Sequence, residues 1–141
     1  MKKPNDIHRR CLSQGPLFLV PIVIFGIWWG SIRPFIASQV FVRGAYRKSL
    51  EYDTFINHES RRFLSQHVLN GEDLLPVDYI VDEMEKNVQE HPLDAKSYIY
   101  LGLLYSKNAR DKDKAKWAVR EARRLAPFRP EVRDMEELCK P

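Results

Sequence analysis

Seventeen consecutive residues, Pro16 to Ile32 (PLFLVPIVIFGIWWGSI), carry no charge and a single polar side chain, Ser31. A soluble chain of 141 residues has little interior in which to bury such a stretch. A core helix in a small protein is apolar along one stripe and polar elsewhere. This one is apolar on every face. As a helix it covers roughly 25 Å, near the short end of what crosses a hydrocarbon core. It can lengthen past Arg33, whose long side chain snorkels to the headgroups. Phe35 to Val42 (FIASQVFV) then continues it into or along the interface. Trp28 and Trp29 mark that boundary, where indole rings are favoured. Pro21 and Pro34 are tolerated in a membrane helix and can kink it.

A cleaved signal peptide is the main competitor. It has a shorter apolar region and a small-x-small cleavage site, which Ile36-Ala37-Ser38-Gln39 does not provide. We therefore read residues 16–42 as a transmembrane helix with an interfacial extension, preceded by a basic tail, 1–15. The tail carries Lys2, Lys3, Arg9 and Arg10, and the other flank Arg33, Arg43, Arg47 and Lys48. Four against four does not decide orientation by charge alone. The short tail resists translocation, so we place the N-terminus in the cytoplasm, with a bacterial inner membrane as the expected setting. Gly26 and Gly30 form a GxxxG pair, four apart on one face, and are candidates for packing against a second membrane helix. A homo-oligomer through that face is one expected assembly.

The remainder, 43–141, is polar and helical in its periodicity, so the fold class is all-α: one transmembrane helix followed by a helical-hairpin array. Gly44 to Phe55 is predicted to form a helix leaving the membrane. Asn57 is a candidate cap for the next, with Phe63, Leu64 and Val68 inward, and Asn70-Gly71 ends it. Pro76 opens another, with Tyr79, Ile80, Met84 and Val88 at helical spacing, ended by His91-Pro92. Asp94 is an expected N-cap for a helix from Ala95 to Ser106, in which Tyr98, Leu101, Gly102 and Tyr105 share one face. After a polar turn, Lys107 to Asp113, a helix from about Lys114 to Leu125 presents Ala115, Ala118, Val119, Ala122 and Leu125. Glu131 to Cys139 is predicted as a last short helix with Val132, Met135 and Leu138 inward.

Ala95 to Pro127 resembles a tetratricopeptide repeat. Tyr98, Leu101-Gly102 and Tyr105 match its first helix; Ala115, Val119, Ala122 and Pro127 match its second. Pro92 resembles the closing proline of a preceding, degenerate repeat in which Ile80 and Asn87 replace the expected alanines. The resemblance implies a partner groove lined by first-helix residues outside the packing positions: Lys96, Ile99, Leu103, Ser106 and Lys107. The 131–139 helix would then be a capping helix. The layout, with Val42-Arg43-Gly44-Ala45 after the last membrane helix, also resembles the C-terminal end of O-antigen ligase or polymerase-type membrane proteins. The multi-span catalytic region of those proteins is not in this sequence.

No GxGxxG, P-loop, GxSxG or HExxH occurs. His58 and His67 are nine apart, on opposite faces of one helix, His91 sits at a break, and His8 and Cys11 have no third ligand beside them. The carboxylates read as solvated. Cys11 and Cys139 flank the span and cannot pair within one chain. The chain is therefore expected not to be an enzyme and to need neither cofactor nor metal. The net charge of +4 does not point to nucleic acid. Charge is unevenly distributed, however. Glu72 to Asp94 has eight acidic residues and one basic; Lys107 to Arg124 has eight basic and three acidic. The bland account is two solvated faces. The functional one is a basic hairpin that steers a charged partner or anionic headgroups, or attracts its acidic neighbour. The expected function is a membrane-anchored scaffold that recruits protein partners through the groove while its anchor contacts lipid. The alternative is an accessory subunit of a cell-envelope glycan polymerase or ligase.

Overall fold

The computed structural model describes residues 19–107 and 111–138. The basic tail, the first residues of the apolar block, His8, Cys11, Cys139 and the tip of the polar turn lie outside the described residues. The chain divides into two compact units, Met1–Ile56 and Asn57–Pro141. The division falls after residue 56 because a short helix folds back on the apolar one.

In the first unit, α1 (Leu19–Val42) is one continuous helix, long and apolar enough to cross a membrane. At 24 residues it measures about 36 Å. Its apolar side chains, Phe25, Trp28 and Trp29 among them, are exposed, as lipid-facing residues in an isolated span are. Within it, Trp28–Ile32 winds as a π-helix, and the Arg33 N–H bonds back to the Trp28 carbonyl. The cause lies one residue on. Pro34 has no N–H for the Gly30 carbonyl and its ring crowds that group, and a widened turn relieves both. The expected kink is thus a π turn upstream of Pro34. Arg33 lies over the Trp29 ring at 4.2 Å.

Gly44, at φ +79°, ends α1 by a left-handed turn that disfavours a side chain. The helix predicted over Gly44 to Phe55 is shorter in the structure: α2 is Tyr46–Leu50. Asp53, also at positive φ, helps interrupt it. α2 packs on the end of α1, burying Pro34 and Ala37 against Ser49 and Leu50. Ser49 donates to the Ala37 carbonyl at 2.7 Å, and Phe41 and Tyr46 meet edge to face.

Among the described residues the second unit holds five helices: α3 (Asn57–Leu69), α4 (Val77–Glu90), α5 (Ala95–Lys107), α6 (Lys112–Leu125) and α7 (Pro130–Leu138). Cross-helix partners give their directions. Tyr98 meets Trp117 and Tyr105 approaches Lys114, so α5 and α6 run antiparallel. Arg61 bonds Glu83 and His58 bonds Asn87, so α3 and α4 do too. Between α3 and α5 the numbers rise together: Arg62 with Asp94, Gln66 with Tyr100, the Leu69 carbonyl with Lys107. Those helices run parallel, as the first helices of two stacked hairpins must.

The core is Leu64, Ile80, Met84, Leu101, Leu104 and Val132, with Ala115, Ala118 and Ala122 allowing close approach of α6. Two readings of the sequence need correction. Phe63 points outward, 44% exposed, because Ser60, Arg61, Leu64 and Ser65 form the buried side of α3. The carboxylates are not all solvated: Glu83 is buried against Arg61, which it neutralises across the hairpin.

Candidate partner-binding groove

The groove is built on α5, and both ends of that helix are held by polar contacts. At its start Asp94 acts as the expected N-cap: its carboxylate accepts the Lys96 N–H at 3.1 Å. The same carboxylate accepts the Ser97 hydroxyl at 2.5 Å and an Arg62 N–H at 3.3 Å. Burial pushes the Asp94 carboxyl up, but these three donors outweigh it and hold the group below the usual carboxylate range. Behind them, the Asn87 amide nitrogen donates to the Ser97 oxygen at 2.9 Å. The Asn87 oxygen is then an acceptor, so His58 donates to it from Nδ1, at 3.2 Å. At the far end, Lys107 donates to the Leu69 carbonyl, and Tyr105 donates to Glu85. Burial, followed by that hydrogen bond, pushes the Tyr105 phenol up; the same bond is the main cause holding the Glu85 carboxyl down.

With α5 fixed, its two sides do different work. Tyr98, Gly102 and Tyr105 turn toward α6. Lys96, Ile99, Tyr100 and Leu103, at i, i+3, i+4 and i+7, share the other side. There they meet Arg129, Glu131, Asp134 and Met135 around a cleft of about 280 Å³. Its walls are apolar, from Ile99, Leu103 and Met135. Its rim carries both signs of charge, Lys96 and Arg129 against Glu131 and Asp134. Lys96 also lies 5.8 Å from the centre of the Tyr100 ring.

Of the five residues expected to line a groove, the structure brings Lys96, Ile99 and Leu103 into the cleft. Ser106 and Lys107 are not part of it, and Lys107 is spent on the end of α3. The sequence reading missed Tyr100, although its spacing from Lys96 was visible. Met135, expected inward, is 2% exposed; what the sequence reading missed is that α7 also forms one wall of the cleft, because a capping helix reads as an end and not as a partner surface.

The other predicted site residues, Gly26 and Gly30, lie on the open surface of α1, where an added Cβ would meet nothing within 4 Å. The π turn that contains Gly30 rotates less per residue than an α turn. It brings the two glycines closer into line than a regular helix does. A separate open hollow is lined by His58, His91, Glu90 and Asp94, with the imidazole centres 4.3 Å apart. Among the described residues no group of His, Cys, Asp and Glu is arranged to hold a metal ion.

Compared with protein-family models, curated proteins and solved structures, the chain matches none.

Proposed function

We propose that this chain is a membrane-anchored scaffold, held by α1 and binding a protein partner in the cleft between α5 and α7. The observation that carries the reading is the cleft itself. Three residues picked for a tetratricopeptide-like groove converge on it, its floor is apolar, and its rim is charged. That is the composition of a site for an extended peptide or a partner helix: apolar anchors supply affinity and the rim supplies register. The tetratricopeptide reading is further supported by the parallel stacking of α3 and α5, whose partners are 32, 34 and 38 residues apart. That spacing is close to the repeat length of about 34 residues. Bacterial inner membrane, with the N-terminus in the cytoplasm, is the setting we carry forward for this scaffold.

The test is position-specific photo-crosslinking of the full chain in its native membrane. A photoreactive side chain at Leu103 should give one defined protein adduct. The same group at Lys116, on the outside of α6, should not give that adduct. Adding Tyr100→Glu should remove it from the Leu103 variant. Identical adduct patterns from positions 103 and 116 would overturn the groove. Loss of the chain from membranes on alkaline carbonate washing would overturn the anchor.

A further inference from the structure

The basic run on α6 is only partly consumed by the fold. α6 buries Ala115, Ala118, Val119 and Ala122 against its neighbours. Its exposed side carries Lys112, Lys116, Arg120 and Arg123, at i, i+4, i+8 and i+11, so they form one row along the helix. Of the other two basic residues in that helix, Lys114 bridges to Glu85 at 3.2 Å and Arg124 to Glu121 at 2.9 Å. The attraction between the acidic and basic hairpins therefore uses Lys114. Among the described residues, Lys112, Lys116 and Arg120 have no ion-pair partner. Beside the row, Trp117 rests edge-on against Tyr98 and is 40% exposed.

A helix with a basic outer row and a half-exposed tryptophan has the makings of a membrane-surface element. Nucleic acid is the other polyanion such a row could meet. Lipid is favoured, because this chain also carries a helix long and apolar enough to cross a membrane. Tethering places the row at an effective concentration of about millimolar or more relative to any anionic headgroups. We infer that the outer face of α6 docks on an anionic lipid surface, with Lys112, Lys116 and Arg120 at the headgroups and Trp117 at their level. The inference deepens the scaffold proposal and rests on its membrane anchor. It also gives the groove a direction. The side of α5 that packs on α6 carries Tyr98, Gly102 and Tyr105, and the groove residues Lys96, Ile99 and Leu103 lie on the other side. A domain resting on α6 keeps the groove open to a partner.

The experiment uses the full chain in lipid nanodiscs, where both surfaces are reachable. It carries Cys11→Ser, Cys139→Ser and Asp113→Cys, the last at an exposed position in the first turn of α6. An environment-sensitive fluorophore is attached there. In discs of phosphatidylcholine with phosphatidylglycerol, aqueous quencher should act about tenfold more slowly than in phosphatidylcholine alone. Salt should abolish the difference. So should the triple reversal Lys112→Glu, Lys116→Glu and Arg120→Glu, whose unfolding curve should match the parent's. Equal quenching in both discs overturns the inference and leaves the anchor standing. Shielding by added RNA in neutral discs, without shielding by phosphatidylglycerol, assigns the row to nucleic acid and also overturns it. A chain that does not enter the discs overturns the anchor and the inference together.

Discussion

Arg61 and Glu83 meet at 3.0 Å with side chains only 5% and 7% exposed, joining α3 to α4 inside the second unit. Burial works against the charged guanidinium, but its hydrogen bonds to Glu90 and Glu83 outweigh that and raise its pKa above the ordinary value. The pair is a place where removing one partner costs far more than removing both. Glu83→Ala should destabilise the domain by about 3 kcal/mol, because it leaves a buried cation with only the half-exposed Glu90 as its partner. The double change Arg61→Met, Glu83→Leu should cost about 1 kcal/mol or less. Urea unfolding of both variants in detergent checks the contrast; equal losses would mean that the pair is not desolvated.

Asp94 sets the acid limb of stability. Its folded-state pKa lies below its unfolded one, so its contribution is complete above the unfolded value of about 3.9 and is lost as pH falls through the folded value. Glu85 acts in the same direction. Stability should therefore hold from neutral pH to about 5 and decline below about 4. Asp94→Asn keeps a capping oxygen but not the charge facing Arg62. It should lower neutral stability by about 1 kcal/mol and flatten the acid decline. Unfolding midpoints measured across the acid range test this. An unchanged acid slope in the Asp94→Asn variant would count against the assignment.

Gly102 sits where α5, α6 and α7 converge. A methyl placed there would overlap the Met135 terminal methyl and touch the Ala118 side chain. Met135 is flexible at that end, so Gly102→Ala should be close to neutral overall. A helix-propensity gain of about 1 kcal/mol is set against displaced packing. Gly102→Leu has no such escape and should cost about 3 kcal/mol with α7 undocked. Thermal unfolding and protease sensitivity around Arg129 report the two effects.

Lys107 and Leu103 separate the groove from the frame. Lys107→Ala removes the donor to the last turn of α3 and should cost about 0.5–1 kcal/mol without altering partner capture. Leu103→Glu should abolish capture with a smaller effect on stability, since Leu103 is only half-buried. Crosslinking yield from a photoreactive group at Lys96, which also lines the cleft, and melting temperature, measured side by side, distinguish these outcomes.

The legible parts of this protein were those that depend on neighbours in sequence. An uncharged run too apolar to be amphipathic reads as a helix long and apolar enough to cross a membrane, and the structure has that helix. Periodicity and stop signals gave all five helices of the second unit within a few residues, and the cap at Asp94 was among them. Lys96, Ile99 and Leu103 followed from the repeat resemblance, as first-helix residues outside its packing positions, although Ile99 is itself buried at 5% exposure.

Other features were illegible because they depend on contacts between distant residues. Phe63 looked like a core residue on its own helix, yet α3 turns Arg61 inward because Glu83 arrives from α4 to neutralise it. Lys107 looked like a groove residue until the parallel stacking of α3 brought the Leu69 carbonyl within its reach. The second wall of the groove came from α7, whose docking depends on the small surface that Gly102 offers. Local sequence was enough to define one long apolar helix, a set of amphipathic helices and their charge. The tertiary structure decided which polar side chains are buried, which side of α5 stays open, and which basic residues of α6 remain unspent. Helix formation and hydrophobic periodicity are local, while burial and charge pairing are settled only when elements meet.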